Sequence, residues 1–328
     1  FPFCVNSKDD PSTTLNLLNI PKLVGKMYIY SVIFVAIGSA RTTNLSIASA
    51  LSTVSTPRAT SRLDRLSHAA SISPWLNLAE GIQISADAYG GCGVVIQAPP
   101  TNTNTSRDMG EQGVRIPAGT ELLSIDGDGL LWAPKSGIAG RIGKRAAELI
   151  GAGEADAEVF SLCAAMLGYD ADEETHDRWN QYRSTLPWES LRTHPLHWTP
   201  AQLEESPVYT ADAEMRLLGL GGMADALAEA AASERPSAYT AREAVACCLS
   251  RVIRTPRSQR ICAAPFLELI NHSRTNANCS FREGKNGSIT AVATRELCDG
   301  EDILVDYGDD KAGFAKSPEI LFAGYGIY

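Results

Sequence analysis

An apolar segment of this chain runs directly into an unusual series of polar side chains. The stretch PFLELINHSRTNANCSF, residues 265–281, is apolar at first and then passes into Asn271, His272 and Ser273. An ordinary strand end would stop at a Gly or Pro turn, whereas these groups can hydrogen-bond in several directions. The pattern indicates a binding or catalytic segment, with capping of a turn as the structural alternative.

Three other segments carry residues suited to chemistry. GGCGVV, residues 90–95, allows the backbone to approach a ligand closely, although a hairpin turn would also use these glycines. It lacks the third glycine and the following helix of a dinucleotide-binding motif. SRVIRT, residues 250–255, supplies arginines, and the tyrosines of 306–308 and 324–328 either line a site or pack near the chain end.

The cysteines do not predict a metal site. The chain has eight cysteines and no CxxC pair, and Cys247 and Cys248 are adjacent. Adjacent cysteines suit neither an ordinary disulfide nor a tetrahedral zinc site, so reduced thiols are expected. His272, Cys279 and Cys298 have zinc-binding side chains, but their spacing is wrong for known ligand pairs.

The elements around these segments predict an α+β fold. From about residue 74 the chain reads as short strands and glycine turns, and from about 138 to 250 as Ala- and Leu-rich helices. One strong helix starts at the N-cap Thr240, with Glu243 three residues later. Strands then follow to the end of the chain. Strands on both sides of the helical stretch must meet in space to bury their faces.

The first 73 residues read as a disordered leader without a convincing apolar period. Within it, residues 27–60 combine an apolar run with a Ser-, Thr- and Arg-rich stretch that resembles a targeting segment; a leader of no consequence is the alternative. The compartment is left open: a plastid or another organelle with such a segment, and the cytoplasm or nucleus otherwise. The apolar run is too short to span a bilayer, so no membrane association is expected once a leader is removed.

Composition and charge restrict the partners. A hydrophobic content of 44% in 328 residues supports a sizeable core. The formal net charge of −9 argues against a nucleic-acid-binding surface, because such surfaces are basic. An acidic surface is compatible with a lysine-bearing protein segment as partner.

Taken together, the order of the motifs resembles the SET domain of protein methyltransferases. The order is specific: NHS comes first, GEDILVDYG follows, and KSPEILFAGYGI stands at the chain end. Within the family, the chain most resembles the Rubisco large-subunit lysine methyltransferase-like class. WNQYRSTLP and HPLHWTPAQLEE, within 179–205, resemble its helical insert. The resemblance covers about 74–328. It implies a β-rich SET fold of small sheets with a C-terminal pseudoknot, split by a mainly helical insert.

The resemblance also implies a protein-lysine N-methyltransferase that uses S-adenosyl-L-methionine. Tyr307 matches the tyrosine beside the transferring methyl group, and Tyr325 matches an aromatic wall of the target-residue channel. Arg254 matches an arginine that contacts the carboxylate of the cofactor. The other residues implied to bind the cofactor are Gly91, Cys92, Gly93, Glu268, Asn271 and His272, with Glu268 standing where the family more often has Asp.

Methyl transfer to lysine has requirements of its own. The amine must lose its proton, since an ammonium group has no lone pair, and a dry apolar channel lowers its pKa. Alignment of the amine with the methyl group then supplies much of the rate. The resemblance implies a lysine of a non-histone protein as the substrate, and the sequence differs from histone-directed relatives in carrying no cysteine cluster after the domain.

The sequence departs from the family pattern in places. Pro318 stands where the family often has Asn, the connection between the two site tyrosines is long, and the family's C-terminal substrate-binding lobe has no counterpart in residues 1–328. A catalytically silent SET-fold binding module is therefore the alternative function. Histidine is a minor alternative as the target residue. A metal-dependent hydrolase using His272 lacks a second ligand motif such as HExxH.

Overall fold

The computed structural model describes residues 57–86, 92–97, 114–169, 175–307 and 317–326. Residues 1–56 of the predicted leader and Gly91 lie outside the described residues.

Short strands and helices alternate along the chain. The strands are β1 (Leu76–Leu78), β2 (Ile82–Ala86), β3 (Cys92–Ile96), β4 (Arg115–Ile116), β5 (Glu121–Ile125), β6 (Leu131–Trp132), β7 (Val252–Arg254), β8 (Ile261–Ala263), β9 (Asn271–His272), β10 (Cys279–Glu283), β11 (Ile289–Ala293), β12 (Leu297–Cys298) and β13 (Leu304–Val305). The helices are α1 (Pro57–Ser71), α2 (Gly137–Leu149), α3 (Glu154–Met166), α4 (His176–Thr185), α5 (Trp188–Leu191), α6 (Pro200–Glu204), α7 (Ala211–Ala231), α8 (Ala241–Arg251) and α9 (Pro318–Tyr325).

The largest described sheet joins strands from both sides of the helical stretch. Its order is β1-β5-β11-β10, with antiparallel neighbours, and β5 pairs Leu123 with both Leu78 and Ala291. Every residue of β11 is buried; Ile289, Ala291 and Ala293 belong to the apolar core, and the strand is paired on both edges. The predicted meeting of N-terminal and C-terminal strands is confirmed.

The remaining sheets are small. β2 pairs with β3, β4 with β12, and β8 lies between β6 and β7, all antiparallel. β9 and β13 pair in parallel, with Asn271 beside Leu304 and His272 beside Val305. This pairing brings the NHS segment against the strand that leads to Tyr307, and it is the described part of the predicted pseudoknot.

Helices occupy the chain between β6 and β7 and form a core of their own. Fully buried side chains of this core include Phe160, Leu162, Met166 and Leu227. The predicted helix start at Thr240 is confirmed, since its hydroxyl accepts from the Glu243 amide at 3.2 Å. Burial of the apolar faces of several helices against one another stabilises this insert.

Helix α1 is a departure from the expected leader. Residues 57–71 were assigned to a disordered segment, whereas they form a helix that buries Leu66 and Ala69 against the strand core. Two arginines also fix it, because the Nε atoms of Arg62 and Arg65 donate to the carbonyls of Thr185 and Ser184 at 3.1 and 3.0 Å. These carbonyls belong to the last turn of α4, where helix geometry leaves carbonyl groups without partners.

Helix α9 accommodates the proline that departs from the family pattern. Pro318 is its first residue, where the missing amide hydrogen costs no helical bond. The hydroxyl of Ser317 accepts from the Ile320 amide at 3.4 Å, and Gly326 ends the helix with a left-handed φ of 67°. Pro318 is therefore compatible with a well-capped helix.

Among the described residues, no helix combines the length and the apolar character needed to cross a bilayer.

Candidate active site

The NHS segment is held in place by the strand before Tyr307. The amide of Ser273 donates to the Val305 carbonyl at 3.1 Å, which extends the β9–β13 pairing. Just before it, a 3₁₀ turn at Leu267–Leu269 follows Phe266, whose φ of 70° is rare for a residue other than glycine. The turn directs the Glu268 side chain inward while Asn271 and His272 continue into the strand.

Asn278 fastens the same two chain segments to each other. Its side-chain amide donates to the Asp302 carbonyl, and its side-chain oxygen accepts from the Leu304 amide, both at 2.8 Å. Its own backbone amide donates to the Leu304 carbonyl at 2.9 Å. The side chain thus replaces missing strand hydrogen bonds inside the protein, where only 1% of the residue is exposed.

His272 joins the NHS segment to Tyr307 by a second route. Its Nδ1 accepts a hydrogen bond from the Tyr307 amide at 3.0 Å, and its ring stacks on the Tyr307 ring at a centroid distance of 5.0 Å. An accepting Nδ1 requires the neutral ring with its proton on Nε2. Asp306 lies 3.8 Å from Nδ1, which is too far for a hydrogen bond.

Tyr307 is the middle ring of an aromatic stack. Its hydroxyl donates to the Ile270 carbonyl at 3.0 Å, and the Tyr325 ring lies beside it at a centroid distance of 5.0 Å. Burial raises the pKa of Tyr307 well above its ordinary value, and it raises the pKa of Tyr325 to about 12. Both phenols therefore stay protonated at neutral pH, so neither acts as a base in its resting form.

A buried ion pair lies close to the stack. Arg251, the last residue of α8, donates from Nη1 to the Glu268 carboxylate at 3.2 Å, and the Tyr182 hydroxyl donates to the other carboxylate oxygen. Only 3% of the Glu268 side chain is exposed, and burial raises its pKa against the opposing effect of Arg251. The charge of Arg251 also acts on Tyr307, which places the pair near the stacked rings.

Two guanidinium groups, those of Arg62 and Arg251, lie near the single carboxylate of Glu268, and these three side chains form a cluster with excess positive charge. Arg62 of α1 lies close enough to Arg251 that burial and then this second guanidinium lower its pKa. The Nη2 of Arg62 and the Nε of Arg251 are buried and find no acceptor within the described part of the chain. Unused buried donors are costly, so this point of the protein suits an anionic group of a ligand.

Arg254, the arginine expected from the sequence, faces solvent. It ends β7 opposite Ile261, and its Nη1 donates to the Gln259 carbonyl in the same hairpin at 2.7 Å. The sequence motifs do not single out Arg251, although its position in the helical pattern carries a signal. Buried Cys247 precedes Arg251 by four residues on one helix, which places both on the inward face.

Of the glycine turn, the structure describes Cys92 and Gly93. Gly93 pairs with Ser85 in the β2–β3 hairpin, and Cys92 is buried in the strand core with its thiol near Arg62. The hairpin therefore borders the same cluster as Arg251 and Glu268. Gly91 lies outside the described residues.

The zinc-type side chains do not gather. Cys279 is buried and its pKa is raised to about 12 by burial, whereas Cys298 is exposed. Within the ranges that the structure describes, no three His, Cys, Asp or Glu side chains are grouped so as to hold a metal ion.

Comparison with known proteins establishes the family. The model of the SET domain matches residues 142–308, more than half of the chain, and the chain belongs to the SET-domain family. The family membership predicted from the order of the motifs is confirmed. No curated protein sequence matches the chain.

Solved structures with the same fold include those of LSMT. The SET domain of LSMT bound to lysine and AdoHcy has a TM-score of 0.56 at 15% identity, and the match covers 82% of this chain and 58% of that one. Rubisco LSMT bound to AdoMet has a TM-score of 0.55 at 16% identity, with 81% and 56% covered. The chain thus spans less than two thirds of these proteins, and the predicted SET fold with a helical insert is confirmed.

Proposed function

We propose that the chain is an S-adenosylmethionine-dependent protein methyltransferase acting on the side-chain amine of a lysine in a non-histone protein. Membership of the SET family supports this, and similar structures hold AdoMet or AdoHcy and lysine or methyllysine. The observation that carries the proposal is the stack of His272, Tyr307 and Tyr325 beside two buried guanidinium groups with unused donors.

The residues present fit S-adenosylmethionine, which would supply an activated methyl group. A carboxylate placed beside Arg62 and Arg251 would accept their unused N–H groups and balance the excess positive charge. Glu268 would then act indirectly, because its carboxylate already holds Arg251. The remaining proposed cofactor contacts are those of Gly91, Cys92, Gly93, Asn271 and His272.

The aromatic residues suit a neutral amine. The Tyr307 hydroxyl donates its hydrogen bond to the Ile270 carbonyl, so toward a polarised or cationic group its oxygen can act only as an acceptor. An apolar aromatic wall favours the uncharged form of an entering lysine by lowering its pKa. With both phenols protonated, a water path rather than a tyrosine would remove the proton of the lysine.

Calorimetric titration of S-adenosylmethionine and S-adenosylhomocysteine into the full chain tests the cofactor. We expect saturable binding in roughly the micromolar range. Arg251→Lys keeps the charge but loses the guanidinium geometry, and it should weaken binding more than Arg254→Lys does. A loss confined to the Arg254 variant would support the sequence prediction and remove this role from Arg251.

Transfer of a labelled methyl group from S-adenosylmethionine to candidate proteins tests the substrate. We expect labelling that disappears when the acceptor lysine is replaced by arginine. Labelling that follows a histidine instead would establish the minor alternative. Cofactor binding without transfer to any protein would favour the silent binding module.

A further inference from the structure

A turn of the helical insert supports the end of α9, the helix that carries Tyr325. The turn comprises Thr193–Trp198 and contains His194, of which only 5% is exposed. The amide of Leu196 donates to Nδ1 of His194 at 3.2 Å, so the ring proton sits on Nε2. Nδ1 of the imidazole thus stabilises the turn, and the opposite edge of the ring, with Nε2 and Cδ2, lies next to α9.

His194 lies directly against the last turn of α9. A methyl group at Gly326 would come within 3.2 Å of the ring carbon Cδ2, which shows how closely the helix end rests on the ring. The Nε2 atom is buried, and no hydrogen bond of good geometry reaches it from the described residues. The backbone of Gly324 is nevertheless close enough to the ring to oppose the lowering of its pKa by burial. Burial lowers the pKa of His194 to about 4, so the ring is neutral at neutral pH.

Hydrogen bonds and a ring contact hold the turn in place. Arg242 of α8 donates to the Leu196 carbonyl at 3.0 Å, and the Trp198 indole donates to the Thr193 carbonyl at 2.7 Å. The Trp198 ring also meets Phe322 of α9 edge-on, with centroids 5.6 Å apart. The turn against which the helix end packs is thus held by contacts to α8 and α9 and by a hydrogen bond within the turn.

Tyr325 needs such support because of its neighbours in sequence. Gly324 and Gly326 flank it, and glycine places few restrictions on the backbone. Within the described part of the chain, no atom outside the helix lies within 4 Å of where a Cβ of Gly324 would be. His194 approaches both residues that flank Tyr325, whose ring lies beside Tyr307.

We propose that His194 is a positioning residue that holds Tyr325 against Tyr307 and thereby sets the width of the target-lysine channel. The channel role rests on the proposed methyltransferase function. The contact of His194 with the helix end does not rest on that function, because it concerns only the position of the Tyr325 side chain. A channel of fixed width restricts how many methyl groups a lysine can carry while its nitrogen still aligns for transfer.

Two substitutions at His194 separate its two contacts. In His194→Asn the amide oxygen can replace Nδ1 and accept from Leu196, but the side chain is too short to reach α9. In His194→Gln the amide nitrogen can replace Nε2 and reach the Gly324 carbonyl. The control is His197→Asn on the same turn, because His197 lies beside Glu243 and Arg242 instead.

The measurements are the distribution of mono-, di- and trimethyllysine products, the KM for a lysine peptide, and the fluorine NMR signal of fluorotyrosine assigned to Tyr325. We expect His194→Asn to move the signal, raise the KM about 2- to 10-fold and shift the products toward higher methylation, because it loses the approach of the ring to Gly324 and Gly326, an effect no larger than that of one hydrogen bond. His194→Gln should restore all three, and S-adenosylmethionine affinity should stay unchanged in both variants.

A folded His194→Asn variant with an unmoved Tyr325 signal and wild-type products would overturn the proposal. A moved signal with unchanged products would also overturn it, because the ring would then not limit the channel. If His194→Asn does not fold, His194→Gln with wild-type values in all three measurements supports the role of Nε2, and altered values contradict it. A wild-type chain without methyl transfer would overturn the proposed function and the channel role with it, while the NMR signal would still test the contact.

Discussion

Replacing Asn278 by Ala should destabilise the protein. The substitution removes two hydrogen bonds of 2.8 Å and leaves the Leu304 amide and the Asp302 carbonyl without these partners. Both bonds are only partly buried, and each such bond contributes about 0.5–1.5 kcal/mol net, so we expect a loss of about 1–3 kcal/mol. Because a typical domain has about 5–15 kcal/mol of stability in total, this is a large fraction of it.

Urea denaturation of the full chain, followed by circular dichroism, measures the change in the free energy of unfolding. Asn276→Ala is the matched control, since Asn276 lies two residues away and is exposed. Asn278→Asp provides a second comparison, because a carboxylate cannot donate to the Asp302 carbonyl until it is protonated. We therefore expect this variant to regain stability on acidification. An Asn278→Ala variant as stable as Asn276→Ala would refute the role given to these two bonds.

Three further outcomes are expected. Tyr307→Phe should lower methyl transfer by roughly a hundredfold while cofactor affinity and circular dichroism stay unchanged, and full activity would remove its assigned role. Burial alone would raise the pKa of Glu243, but the hydrogen bonds from Arg192 and the N-cap residue Thr240 outweigh burial and lower it. Glu243→Gln should therefore reduce the free energy of unfolding at neutral pH. The difference from the wild type should vanish as the pH falls through the lowered pKa, which unfolding curves at several pH values measure. Arg62→Gln should weaken S-adenosylmethionine binding in calorimetry, whereas Arg65→Gln, which loses a similar bond to α4, should not; equal effects would contradict the anion-binding cluster.

Features that depend on neighbouring residues could be predicted from the sequence. The start of α8 is one example, because the Thr240 and Glu243 groups that cap it lie within one helical turn. The order of the motifs predicted the family, and the alternation of apolar residues predicted strands on both sides of a helical stretch. Each of these signals can be recognised without knowing how distant parts of the chain meet.

The choice between Arg251 and Arg254 depends on where a helix becomes a strand. The helical period continues to Arg251 and turns it inward, and the strand that follows turns Arg254 outward. A boundary shifted by one or two residues would reverse this, and boundaries are the weakest part of a sequence-based assignment. The partners of Arg251, Glu268 and Tyr182, come from other parts of the chain and could not be predicted from spacing.

Helix α1 was missed because its composition concealed its pattern. Leu63, Leu66, Ala69 and Ala70 follow the spacing of one helical face, but Ser, Thr and Arg around them favoured a disordered leader. The face is narrow, and its burial against the strands together with the arginine contacts to α4 stabilises the helix. Such support comes from tertiary contacts and leaves little trace in local sequence.

The pairing of β5 with β11 determines when the fold can be completed during synthesis. The whole helical stretch lies between these two strands, so β5 leaves the ribosome long before its partner exists. Until then its open edge and buried-type side chains, Leu122, Leu123 and Ile125, are available to other chains, and exposed edges of this kind promote aggregation. The helices, whose contacts are more local, can form first. Completion of the sheet is therefore a late event in folding, and yield on expression will depend on how long the nascent β5 edge is protected.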